Sequence, residues 1–250
     1  MTQYEAWEKE YRTPQLLTGR DVPQNDVLRF LKYVKKTGKQ RVEDMTVLDL
    51  GSGTGRNANY IASLDNEVVG MEISPTAIKL AKSRADKMEL GVSYLQQSIG
   101  TKYQFPDNHF DLILDITTSN SLNEKEREVY LEESSRVLRP TGYFFVRALC
   151  KDGDKNAKNL IKLSPGPEYD TYIMKELGLV ERVFFEEDFR KLYGKYFEIV
   201  EIVKKKGYAR LNGQSYKRIY LLAYLKKIVS SVKDDRSLKL NIIKKEGRKS

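Results

Sequence analysis

From residue 46 onward short apolar runs alternate with longer amphipathic stretches, as a parallel sheet joined by helical crossovers requires. Thr46 to Leu50, Glu67 to Glu72, Val92 to Gln97, Phe110 to Ile116 and Tyr143 to Leu149 read as five strands. Helices are predicted at Arg56 to Leu64, from Pro75 toward Gly91 with Ser74 as its N-cap, and at Glu124 to Leu138. Arg139-Pro140-Thr141-Gly142 reads as a stop and turn.

After residue 150 the pattern weakens. A polar stretch and the Pro/Gly segment SPGPEYD precede a short helix near Glu186 to Tyr193. Phe197 to Lys204 and Tyr216 to Leu225 then read as a hairpin turning through YARLNGQ. Ahead of the first strand, Asp26 to Val34 places Val27, Phe30, Leu31 and Val34 on one helical face. The expected organisation is a helical N-terminal cap over 1–40, a doubly wound α/β domain over 41–225 with a mostly parallel sheet closed by an antiparallel hairpin, and a basic tail over 226–250.

Charge changes this picture less than the total suggests. The chain of 250 residues carries a formal +9, a balance that invites a nucleic-acid or membrane partner. Residues 201–250 alone hold a net +11, and residues 1–200 a net −2. A basic tail is more often solvated than engaged, so the core domain is not expected to bind polyanions. No apolar run of about 18 residues exists to span a bilayer, and MTQYEAWEKEYR lacks a signal-peptide core. A single cysteine, Cys150, excludes an internal disulfide, and a single histidine, His109, excludes a multi-histidine metal site. A cytoplasmic protein without a resident metal is the expectation.

The informative stretch is VLDLGSGTGRN, residues 47–57. A strand ends at Asp49-Leu50, and Gly51, Gly53 and Gly55 make a tight turn into a helix where a ligand can lie on bare backbone. A dinucleotide G-x-G-x-x-G would need glycine where Arg56 stands, and no G-x-x-x-x-G-K-[ST] is present. Asp49 would repel a pyrophosphate and welcome a cation. Glu72, ending the second strand, stands where a carboxylate can accept from ribose hydroxyls. A ribose plus a positive charge, without phosphates, points to S-adenosylmethionine.

These residues, with VVGMEIS, PDNHFDLILD and LRPTGYFFV, resemble the class I S-adenosylmethionine-dependent methyltransferases, whose fold is a Rossmann-like seven-stranded sheet. GRN and the closing EDFRKLYGKYFEIVEI are loosely similar to the small-molecule thiopurine and tellurite-resistance branch. The resemblance implies that Asp49, Gly51, Ser52 and Gly53 line the methionine part of the cofactor, with Arg56 and Asn57 toward its carboxylate. Glu72 would hold the ribose, Ile73, Ser98 and Ile99 would border the adenine, and Asp115 would face the methionine amine or the methyl. Serine at 98 departs from the family's usual aspartate.

Methyl transfer needs no dedicated base for an anionic acceptor. Asp115, Arg147 and Tyr11 are the candidates nearest the chemistry. Arg147 would grip an anionic acceptor or pair with a neighbouring helix, Trp7 and Tyr11 would close over the cofactor or staple the first helix to the sheet, and Asn120 would flank the methyl or cap the next helix. His109 reads as a loop residue and Cys150 as a buried thiol. The leading expectation is a methyltransferase acting on a small molecule. RNA or protein methylation through the basic segment, and a cofactor-binding regulator without turnover, are the alternatives. The absence of an N-P-P-Y-like motif at DITTSN weighs against base-amine methylation.

Overall fold

The computed structural model describes residues 2–16, 21–38, 41–211 and 213–228. The expected tail lies outside the described residues beyond Ile228. Two helices lead, α1 (Gln3–Arg12) and α2 (Asn25–Gly38). They are followed by β1 (Thr46–Leu50), α3 (Arg56–Ala62), β2 (Glu67–Glu72), α4 (Pro75–Lys87), β3 (Val92–Gln96), β4 (Phe110–Ile116), α5 (Glu124–Val137) and β5 (Leu138–Leu149). Then come α6 (Lys155–Leu163), β6 (Thr171–Met174), β7 (Leu179–Arg182), α7 (Glu186–Tyr193), β8 (Phe197–Leu211) and β9 (Gln214–Lys227).

Seven strands form one sheet in the order β3-β2-β1-β4-β5-β9-β8, parallel from β3 to β5 and antiparallel at β9 and β8. This is the expected Rossmann-like sheet with its closing hairpin. Strand alternation divides the core between two faces: Val47, Leu112 and Leu114 pack under α2, α3 and α4, while Leu48, Leu50 and Ile113 pack under α5 and α7. Phe30 of α2 stacks on Phe145 of β5 at 5.0 Å, so α2 is part of the main core and not merely a cover. Strand order reverses between β1 and β4, and open α/β sheets bind ligands in the crevice at such a reversal.

Local chemistry sets the boundaries that the pattern predicted well. Ser74 caps α4 through the Ala77 amide at 3.1 Å, with Pro75 at the first helical position. Three expectations fail. Leu138 already pairs with Phe110, so Arg139-Pro140-Thr141-Gly142 begins β5 through an irregularity in the ladder instead of forming a turn. Lys226 and Lys227, assigned to the tail, belong to β9 and pair with Glu198 and Phe197. Tyr208 to Leu211 are no loop, because β8 and β9 continue as a two-stranded ribbon until Leu211 pairs with Gln214. Polar residues on a ribbon outside the sheet carry no apolar alternation from which to read a strand.

The stretch between β5 and α7 was read as irregular. It contains α6 and the β6–β7 hairpin, held by a buried cluster in which Arg218 meets Asp154 at 3.2 Å and Tyr172 at 2.9 Å. A small core of Ala6, Leu177 and Leu179 ties α1 to this hairpin. Among the described residues no helix is long and apolar enough to cross a membrane.

Candidate functional site

A cavity of about 1080 Å³ opens at the carboxyl ends of β1, β2, β4 and β5. The glycine loop forms its floor, and the loop is held down by the amides of Gly51 and Ser52, which donate to the Met71 carbonyl at 2.8 and 2.9 Å. Gly51 and Gly53 both have positive φ, +69° and +56°. A Cβ at Gly51 would collide with the Thr118 side chain, and one at Gly53 would lie 2.7 Å from the Tyr11 hydroxyl. Glycine is therefore required twice over, by conformation and by space.

Glu72 ends β2 at the edge of this cavity, 5% exposed. Its Oε1 accepts from the amides of Ile73 and Ser74 at 2.8 and 2.9 Å, and its Oε2 accepts from the Gly53 amide at 2.9 Å. Two lone-pair sites per oxygen leave one acceptor position, on Oε2, for a further donor. Burial raises its pKa, and the three amides oppose that rise.

Asp49 lies directly beneath the loop, 2% exposed, with its Oδ2 lacking any hydrogen-bond partner. Burial pushes its pKa up to about 7, against the pull of Arg56 and with further upward pressure from Asp115 and Glu72. The Ser52 hydroxyl, on the cavity wall, is likewise buried without a partner. An orphaned carboxylate oxygen beside a second buried carboxylate is the environment that a cation would relieve.

The expected contacts divide into those the cavity gathers and those it does not. Gly51, Ser52, Gly53, Arg56, Asn57, Glu72, Ile73, Ser98, Ile99, Tyr11 and Arg147 all line it. Asn57 does so with its Oδ1 already engaged by the Gln24 amide at 3.0 Å. Asp49, beneath the loop, and Asp115 do not. Asp115 Oδ1 accepts from the amides of Thr118 and Ser119 at 2.9 and 3.3 Å, and its Oδ2 accepts from the Tyr130 hydroxyl at 2.7 Å. The side chain thus closes the turn after β4 and does not reach the cavity lining. Asn120 is also buried, its Oδ1 receiving the Leu149 amide at 3.4 Å, and the cap of α5 is Asn123 instead.

Tyr11 reaches the loop because Glu8, one turn earlier, docks α1 onto α4 by accepting from Ser74 Oγ and Thr76 Oγ1, both at 2.6 Å. Burial and the nearby Glu72 carboxylate hold the Tyr11 phenol well above its ordinary range, so it is a donor and not a base. Cys150 is buried and its thiol is pushed up to about 11 by burial, as expected of a structural thiol. His109 lies beside Phe105 and Phe110, at ring distances of 6.2 and 4.7 Å, remote from the cavity lining.

Several wall residues carried no sequence signal. Thr117 adopts φ +66°, a left-handed conformation rare for a β-branched residue, and it turns the chain at the end of β4. Tyr208, Ala209, Arg210 and Ser215 come from the β8–β9 ribbon, which arches back over the opening. Only the unexpected length of that ribbon brings them there.

The family described as "Methyltransferase domain" matches residues 41–178, more than half of the chain and the part that builds the loop and the strand reversal. The chain belongs to the class I S-adenosylmethionine-dependent methyltransferases. An uncharacterized methyltransferase of Schizosaccharomyces pombe is 33% identical over 42% of this enzyme and 72% of its own length. A 2-heptyl-1-hydroxyquinolin-4(1H)-one methyltransferase of Mycobacteroides abscessus is 29% identical over 59% of this chain and 65% of the relative. In fold, the enzyme is similar to a SAM-dependent methyltransferase from Methanosarcina mazei, with a TM-score of 0.67, 22% identity and coverage of 75% of this chain and 94% of that one.

The residues present fit the family's cofactor. Asp49 and Ser52 would meet its ammonium group, Glu72 one ribose hydroxyl, Ile73 and Ile99 its base, and Arg56 its carboxylate. Among the described residues no group of three or more His, Cys, Asp or Glu side chains is placed to hold a metal.

Proposed function

We propose that this methyltransferase transfers the cofactor's methyl group to a small molecule by in-line displacement. The observation that carries the proposal is that separate elements wall the cavity around the glycine loop. Besides the glycine loop, its wall includes Tyr4 and Trp7 of α1, Pro167 and Val180 beside and within the β6–β7 hairpin, and Tyr208 of the ribbon. Its volume of about 1080 Å³ lies just above the usual range of small-ligand pockets, about 300–1,000 Å³, and suits a cofactor together with a compact acceptor. The M. abscessus relative, named for a quinolone substrate, supports the same class.

When bound, the cofactor supplies an electrophilic methyl on a sulfonium. The protein's part is to position and to exclude water, and orientation of this kind can lower a barrier by about 7–11 kcal/mol. Gly53 and Glu72 would fix one end, and Tyr11 covers the loop. The test is radiolabelled methyl transfer from S-adenosylmethionine into small-molecule, RNA and protein fractions, with full-length enzyme and with a variant ending at residue 228. Label is expected in the small-molecule fraction with both proteins. Label in RNA or protein that vanishes on truncation would overturn the proposal.

A further inference from the structure

Charged groups stand at both ends of the cavity. Beneath the glycine loop Asp49 and Glu72 are buried together, with Asp115 close enough to raise Asp49 further and Arg56 opposing it. A second charged group lies toward β5. Arg147 of β5 and Lys205 of β8 share one carboxylate, Asp26 in the first turn of α2. Arg210, on the same wall, adds a third cation.

Arg147 is held but not satisfied. Its guanidinium lies over the Tyr220 ring, 3.5 Å from the centroid, an arrangement set by the β5–β9 register in which Arg147 opposes Leu222. Its Nε is 3.3 Å from Asp26 Oδ2, yet this contact lacks hydrogen-bond geometry and the buried Nε has no partner. Asp26 Oδ1 is committed to Lys205. The charged groups facing Arg147 are thus Asp26 from α2 and Lys205 from β8, with the Tyr220 phenol beneath it from β9. A stacked, planar donor with unused N–H groups on a cavity wall is suited to an oxyanion.

Among the described residues lining the cavity there is no His, Cys or Lys. Its three carboxylates each already accept from backbone amides: Glu72 as above, Glu126 from Asn123 at 2.9 Å and Glu168 from Glu124 at 3.0 Å. Tyr11 is held protonated.

We infer that the acceptor binds as a preformed oxyanion, an acidic phenol- or enol-type hydroxyl, and that Arg147 on its Tyr220 platform holds it. The inference rests on the small-molecule reading and narrows it. The acceptor oxygen forms a bond to the methyl carbon with its own lone pair, the carbon–sulfur bond breaks with its electrons going to sulfur, and no proton moves. One negative and one positive charge disappear together, a change favoured in a site shielded from water.

The test uses the full-length enzyme, labelled S-adenosylmethionine and a small-molecule cell extract fractionated on an anion exchanger at alkaline pH before the reaction. Label is expected when the retained, acidic fraction supplies the acceptor. With that fraction Arg147→Gln should raise KM roughly 10- to 100-fold, as loss of a charged hydrogen bond does. Arg147→Lys should recover part of the loss, and cofactor affinity by calorimetry should stay unchanged in both variants. Label only when the unretained fraction supplies the acceptor, or an unchanged KM in Arg147→Gln, overturns the inference while leaving the small-molecule reading intact. Weakened cofactor binding in Arg147→Gln would place the residue in the cofactor pocket and also overturn it. Label in no small-molecule fraction would remove the reading on which the inference rests, and the inference with it.

Discussion

Replacing Asp49 with asparagine should stabilise the free enzyme and damage cofactor binding, both in a pH-dependent way. Asp49 has a pKa near 7 in the fold against 3.8 when unperturbed, chiefly because burial disfavours its charge. A carboxyl raised in this way contributes stability that is whole below about pH 4 and is lost as pH climbs through about 7. The full loss amounts to about 4 kcal/mol, of which about 3 kcal/mol falls between pH 5 and pH 8. In a chain of this length that is on the order of 5–10 °C in Tm.

Asp49→Asn should therefore melt higher than the wild type at pH 8, with the gap closing toward pH 5. Cofactor binding should show the opposite dependence, because a cationic ligand selects the ionised carboxylate. Wild-type affinity should rise by up to tenfold per pH unit between pH 5.5 and 7 and then level, while the asparagine variant binds weakly with little pH dependence. Calorimetric melts and cofactor titrations at four pH values suffice. Equal pH slopes of Tm in the two proteins, or an undiminished affinity in the variant, would refute the reasoning.

Other substitutions probe the remaining supports of the site. Glu72→Gln removes one of the two oxygens that receive three backbone amides, so stability should drop by about 1–3 kcal/mol in denaturant titrations and cofactor affinity at least tenfold by calorimetry. Glu8→Ala should release α1 from α4 and speed cofactor dissociation roughly tenfold in stopped-flow traces, with little change in the association rate. Thr117→Gly relieves a left-handed β-branched residue, and after the entropic cost of glycine it should raise stability by about 0.5–1 kcal/mol while lowering kcat through a looser end of β4.

Legibility in the sequence followed burial. Strands β1, β2 and β4 are covered on both faces, so they stand out as unbroken apolar runs, and the glycines between them report a backbone geometry that few other residues adopt. Glu72 could be placed at the cavity because it adjoins those signals. Asp115 was misplaced because position in a strand fixes only where a side chain starts. Tyr130, fifteen residues further on, determines where it points. Tyr220 and Lys205 were invisible as site residues, since their proximity to Arg147 depends on the register of two strands that meet only in the folded sheet. The strands of the β6–β7 hairpin are only four residues long and mix polar with apolar positions, so periodicity passed over it.

The position of β9, between β5 and β8, bears on how the chain is made. During synthesis β5 emerges with its outer edge unpaired, and β8, although complete some sixteen residues earlier than β9, has no strand of the main sheet beside it. At about 5–20 residues per second the nascent sheet spends several seconds with an open, hydrophobic edge while residues 150–227 are added. The Tyr220 platform arrives in the same late segment, so a ribosome-bound chain can complete its glycine loop well before the wall around Arg147 exists. Chains released short of residue 227 should accordingly associate through β5, whereas full-length chains cover that edge with their own last strand.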